Sequence, residues 1–213
     1  YFLCLIAIAL SSRLFSIEKE QKMDALLFTR ESTISLAIGR SKISAICLTV
    51  TQLYLLANLA LILIKVFTTG LSGMGSQVQI EYVFSIYPMN FFMATFWHLF
   101  VGWISIVFVT ILAGWINLLT INTTTSFAIS TVAIFIPLIL GKILGETQGP
   151  ISKLIGILPI NNLNFIKNIR SLPFFDFLGI SLSSVTLGLI IGILFFIISF
   201  IALPSLFKDR LKK

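Results

Sequence analysis

Long apolar runs and short polar breaks alternate along this chain, and the run lengths set the first expectations. A helix needs about 20 apolar residues to cross the hydrocarbon core of a bilayer. Four runs meet that length, at 43–67, 91–119, 127–144 and 180–203, the first reading "ISAICLTVTQLYLLANLALILIKVF". The opening "YFLCLIAIAL", residues 1–10, is apolar but too short to span, and it reads as the second half of a helix that starts before the chain does. The breaks differ in kind. Residues 68–90, "TTGLSGMGSQVQIEYVFSIYPMN", carry loop chemistry with a short helical or extended piece inside. "TINTTTS" reads as a tight polar turn. Residues 145–178 are apolar but interrupted by Pro150, Pro159 and Pro173, and "ISKLIGILPI" within them fits a re-entrant or interfacial segment. The pattern predicts an all-α polytopic membrane protein, one transmembrane domain with four full spans and one partial span.

Composition agrees. Only 11% of residues are charged, against about 25% in an ordinary soluble domain, and Phe occurs 20 times. The net charge of +7 raises the question of nucleic acid, but its distribution answers it. Of the 15 Lys and Arg, six fall within 13–42 and four in the tail 204–213. Four spans separate these segments, so both face one side, and the positive-inside rule makes that side the cytoplasm. Membrane orientation explains the basic charge and no nucleic-acid partner is implied. Cys4 and Cys47 lie in apolar runs without metal or redox spacing and read as packing residues.

Ten of the chain's charged residues sit within 13–42, around "EKEQKMDALLFTREST". Ser16 is a fair helix N-cap and Glu18 suits a first turn. Leu14, Ile17, Leu26, Leu27 and Phe28 add an apolar strip. Such a segment lies on a membrane, docks in a partner's groove, or is a solvated connector.

The run "EKEQKMDALLFTRESTISLAIGRSKISA" resembles the stretch after the second transmembrane helix of ABC-2 type exporter permeases, those of Gram-positive bacteria in particular. Glu20, Met23, Leu26, Leu27, Thr29, Arg30, Lys42, Ile43 and Ala45 fit that pattern; Lys22 stands where Gly is usual, and Ser32-Thr33 near the usual Gly-Arg. The resemblance implies a type V exporter-like fold of six helices, of which about five are present, with the N-terminal part missing. It places 145–178 as the outside re-entrant region. It also implies a permease subunit with no enzyme activity and no cofactor of its own, consistent with the absence of GxxxxGK[ST] from the sequence. Its partners would be an ABC ATPase subunit, a second permease in a homodimer or heterodimer, and membrane lipid, in a bacterial plasma membrane. Glu18, Glu20, Met23, Leu26, Leu27, Phe28, Thr29 and Arg30 would couple to the ATPase. The cargo would be an amphipathic or hydrophobic peptide, drug or lipid.

Outside that stretch, Gln52, Asn58 and His98 are polar residues within apolar runs and are candidates for a substrate path, although Gln52 and Asn58 equally suit helix–helix bonding and His98 an interfacial aromatic belt. Lys65 reads as snorkelling, and Lys142 and Glu146 as an i, i+4 pair. Gly188-x-x-x-Gly192 fits a close helix crossing. Asn122-Thr123-Thr124 matches a glycosylation acceptor on what reads as the cytoplasmic side. Two other classes remain open: a non-catalytic membrane scaffold or sensor, and a membrane-embedded enzyme, for which no paired catalytic residues are evident. A secondary transporter is disfavoured by the scarcity of acidic residues within the spans.

Overall fold

A computed structural model describes residues 1–17, 32–70, 73–81, 88–120, 122–143, 149–163, 174–177 and 180–211. Its elements in chain order are α1 (Phe2–Ser11), α2 (Ser32–Thr69), α3 (Val78–Glu81), α4 (Phe91–Thr120), α5 (Thr123–Ile143), α6 (Pro150–Ile157), a 3-10 turn (Pro159–Leu163), strands β1 (Phe174–Phe177) and β2 (Ile180–Ser183), and α7 (Ser184–Leu211). Among the described residues the chain is overwhelmingly helical, and α2, α4, α5 and α7 are each long and apolar enough to cross a membrane. That is the architecture of an all-α polytopic membrane protein.

Burial supports the same conclusion. Only 17% of the most apolar window of α2 is buried, and Leu48, Leu55, Leu56, Leu59, Leu61 and Ile64 on it are exposed. A surface so continuous in large apolar side chains is untenable in water and ordinary in lipid. In α4 the corresponding share is 56%, making it the most enclosed of the four. Many hydroxyls inside the long helices follow the rule for a dry medium, although Ser126 and Ser130 of α5 are buried without a hydrogen-bond partner among the described residues. Thr49, Thr95, Ser105, Thr110, Thr120 and Thr131 each donate to the carbonyl four residues earlier, so none needs water.

The boundaries depart from the hydropathy pattern in three places. First, α2 runs 38 residues without a break, about 57 Å, and takes in residues 32–42 with Arg40 and Lys42. Charge marks where a helix leaves hydrocarbon, and it does not end the helix. Second, α5 begins at Thr123, inside "TINTTTS". Asn122 Oδ1 accepts from the N–H groups of Thr124 (3.0 Å) and Thr125 (3.2 Å), an N-cap that satisfies two of the first-turn donors. Asn122→Ala is expected to cost about 1 kcal/mol, measured by thermal unfolding in detergent, with Asn122→Asp retaining most of it.

Third, Ile180–Ser183 is a strand, not the start of the last span. It pairs antiparallel with Phe174–Phe177, Phe177 opposite Ile180, so only Leu178 and Gly179 connect the two. Ser183 then caps α7, its Oγ accepting from Thr186 N–H at 3.1 Å. The sequence signal was a short "ISLS" alternation and a Gly in a two-residue connection, submerged in the apolar run that follows.

By their contacts the described residues form two compact units. One comprises Tyr1–Gln52, Ile106–Ile136 and Ile193–Lys213; the other comprises Leu53–Ser105 and Pro137–Gly192. The second has an apolar core of Val101, Ile104, Val185 and Leu189 with Trp97 packed on it.

Candidate functional site: the base of the charged span

In the first unit, the charged span starts from a short turn that several helices hold. After α1, Ser12 N–H bonds to Ile8 O at 2.8 Å and Leu14 N–H to Ser11 O at 3.1 Å, and residues 12–16 form a hydrogen-bonded turn. Asn117 of α4, fully buried, reads this turn with both ends of its amide. Its Oδ1 accepts from Phe15 N–H at 2.7 Å, and its Nδ2 donates to Ser12 O. An Asn side chain offers one acceptor and a donor pair, the same groups as a peptide, which is why it substitutes for a helical turn that has ended. Ser16 Oγ and Thr123 Oγ1 of α5 are 2.7 Å apart in a further hydrogen bond.

Lys42 of α2 completes the arrangement. Its Nζ donates to Leu14 O at 3.0 Å and lies 5.9 Å from the centre of the Phe15 ring and 5.4 Å from that of Phe207 on α7. The two rings are 5.1 Å apart, and both are buried. An ammonium over two aromatic faces is electrostatically favoured, the more so where water is excluded. Gly39 lets α2 come this close to α7: a Cβ there would lie 3.1 Å from Pro204 Cα. Trp115 Nε1 adds a bond to buried Ser199 Oγ at 2.8 Å between α4 and α7. The chain therefore enters the charged span from a turn bonded to α2, α4 and α5 and stacked on α7. It leaves the span at Ser32 directly into α2.

The coupling residues proposed from sequence, Glu18, Glu20, Met23, Leu26, Leu27, Phe28, Thr29 and Arg30, lie outside the described residues. Two residues of the resembling run are described and have clear roles: Lys42 makes the contacts above, and Ile43 is 2% exposed in the core. Asn117, Phe15 and Phe207 are not among the residues the sequence points to, and Thr123 is so only as part of the Asn122-Thr123-Thr124 acceptor. For Asn117 a signal existed, a carboxamide deep in an apolar run; the Phe15–Phe207 contact has none.

The substrate-path candidates lie on α2 and α4. Gln52 is exposed on α2. Asn58 is half-buried and donates to Tyr54 O of its own helix at 2.8 Å. His98 is half-buried on α4. Within the second unit, Tyr54 OH bonds to Leu99 O at 3.2 Å and lies over Gly102, joining α2 to α4 beside both residues. Lys65 is exposed. Glu146 and the Lys142 side chain lie outside what is described.

The segment that reads as re-entrant is held by polar side chains in the same unit. Asn161 and Asn162 of the 3-10 turn are buried, one against Gly141 and the other against Gly188. Ser105 Oγ lies 2.6 Å from Pro159 O as well, so its single proton is shared between that carbonyl and Val101 O. The Gly188/Gly192 face of α7 thus receives the 157–162 segment and, at Gly192, Ile104 of α4. A groove lined by Met89, Phe92, Met93, Phe96, Trp97 and Phe100 opens on the first turns of α4. No family model matches this chain, and no curated protein and no solved structure matches it significantly.

Proposed function

We propose that the chain is the membrane-spanning permease subunit of an ATP-driven ABC-2 type exporter in a bacterial plasma membrane. In this reading a partner ATPase binds the segment 18–31, and its nucleotide-driven movement is passed to the helices. The observation that carries the proposal is the anchoring at both ends of that segment. A push on it loads α2 through the backbone at Ser32, and loads α4, α5 and α7 through Asn117, Thr123 and the Phe15–Phe207 stack. A solvated connector has no need of a buried, doubly bonded Asn at its root.

Leu26, Leu27 and Phe28 would be the buried anchor in the ATPase groove, with Glu18, Glu20, Met23, Thr29 and Arg30 around them. Two permease chains, identical or paired with a related one, would work with two ATPase subunits. The apolar groove along Met89, Phe92, Met93 and Phe96 suits an amphipathic or hydrophobic cargo.

The test is co-purification. The complete gene is expressed with its neighbouring genes, the membrane protein is purified in mild detergent, and its companions are identified. A stoichiometric P-loop ATPase is expected, and it is expected to be lost when Leu26 and Leu27 are both changed to Asp. A preparation that keeps its permease dimer but carries no ATPase refutes the exporter reading, and the scaffold or sensor reading takes its place.

A further inference from the structure

The least enclosed of the four long helices carries a polar side chain where lipid would meet it. On α2, Gln52 stands ten residues past Lys42 and thirteen before Lys65, about 15 and 20 Å along the axis. That places it near the middle of a hydrocarbon core about 30 Å thick. Gln52 is exposed, and no hydrogen bond joins its carboxamide to another described residue. Its side chain is too short to reach either membrane surface, as the long stem of a lysine or arginine does. Amide donors and an amide acceptor left in hydrocarbon are costly, because no water is there to bond them. Gln52 therefore calls for a partner from outside the described residues.

The face around it says which partner. Ser41, Ala45, Leu48 and Gln52 follow one another at spacings of four, three and four, the spacing of a helix–helix seam, and all four are exposed. Gly39, Ile43 and Val50, on the opposite side of α2, are buried within the chain. Ser41 and Ala45 are small enough for a second helix to come close. Arg40, also exposed, lies about a third of a turn around from Gln52, so two copies of this face do not oppose like charges. Copies of one chain insert in a membrane the same way up. A two-fold axis relating two of them then runs along the membrane normal, and each residue beside the axis meets its own counterpart at the same depth. A carboxamide is suited to meeting itself, since it carries an acceptor and two donors and exchanges reciprocal hydrogen bonds. We propose that α2 pairs with α2 of a second copy of this chain, the two Gln52 side chains bonding across the axis. The pairing rests on the membrane placement alone, needs no ATPase, and would make the two permease chains of the exporter identical.

The test places one cysteine at a time in the full chain, with Cys4 and Cys47 changed to Ala, and oxidises it in the membrane. L48C, which keeps Gln52, is expected to give a disulfide-linked dimer on a non-reducing gel. L61C, exposed on the far side of α2 from Gln52, is expected to stay monomeric. Pairing strength is then read by energy transfer between differently labelled copies in liposomes at falling protein-to-lipid ratio. Q52L is expected to weaken pairing about tenfold, and Q52N, which retains an amide, to weaken it less. In excess detergent, where the chain is monomeric, the melting temperature of Q52L is expected not to fall, because Gln52 makes no bond to the described residues of its own chain. Absence of an L48C dimer, as much dimer from L61C, or undiminished pairing in Q52L overturns the proposal. A lower melting temperature in monomeric Q52L with unchanged pairing overturns it in favour of a partner within the same chain. Loss of a different co-purifying protein in Q52L, with no L48C dimer, overturns it in favour of another subunit.

Discussion

Asn117→Leu is expected to destabilise the protein by about 2–3 kcal/mol, although leucine is more apolar and close in size. The reason lies in the partners left behind. Phe15 N–H has Asn117 Oδ1 as its acceptor at 2.7 Å in a buried place, and without it the donor is orphaned. Ser12 O is less exposed to the loss, because Ser16 Oγ also donates to it at 3.3 Å. The asymmetry gives a residue-level readout: hydrogen exchange at the Phe15 amide should accelerate far more than exchange in the middle of α4. Thermal unfolding in detergent measures the stability. Under the exporter reading the same variant, assayed at a temperature where it stays folded, keeps ATPase binding but loses transport coupled to hydrolysis. A variant with native stability and native Phe15 protection would show that the amide does not hold the turn.

Gly188→Val should be at least as damaging, by about 3 kcal/mol or more, with a different cause. Any Cβ at this position would sit 2.5 Å from Asn162 Nδ2 and 2.8 Å from Ile157 O. The second of these is backbone, which does not swing aside, so the 157–162 segment must lift off α7 and Asn162 loses its buried place. Gly114→Ala is the matched control. Its Cβ would meet Leu14 Cδ2 at 3.5 Å, an ordinary contact, and Ala is the better helix former by about 1 kcal/mol, so this change is expected to be neutral or stabilising. Comparing the two melting temperatures separates a packing requirement from a general intolerance of glycine replacement. A native-like Gly188→Val would mean that the close approach is dispensable.

Much of the architecture was legible because one force dominates it. The apolar runs at 1–10, 43–67, 91–119 and 127–144 each match a helix over their described residues, and the run 180–203 does so from Ser184 on, since a membrane-crossing backbone has to satisfy its own hydrogen bonds. What hydropathy misplaced were the ends. The start of α2 ahead of Lys42 and the Asn122 cap are local hydrogen-bonding matters within polar stretches, and the Phe174–Ser183 hairpin was hidden because β-alternation over four residues is weak beside a 24-residue apolar run. The candidate site was half visible. Charge clustering pointed to the span after α1, and Lys42 and Ile43 belonged to the resembling pattern. Asn117, Thr123 and Phe207 stand some 100 to 190 residues away from the turn they hold, and no local pattern links them to it.

The sequence by itself determined that this protein lives in a membrane, how many times its chain is able to cross, and which segments gather the positive charge. These follow from transfer free energies summed along the chain, to which each residue contributes wherever its neighbours end up. Tertiary structure alone decided that an amide on α4 closes the turn at Phe15, that Lys42 lies over rings from two distant segments, and that Asn161 and Asn162 are buried against glycines. Those are directional contacts at a few ångströms between residues far apart in sequence, and the geometry that makes them favourable exists only once the helices have packed.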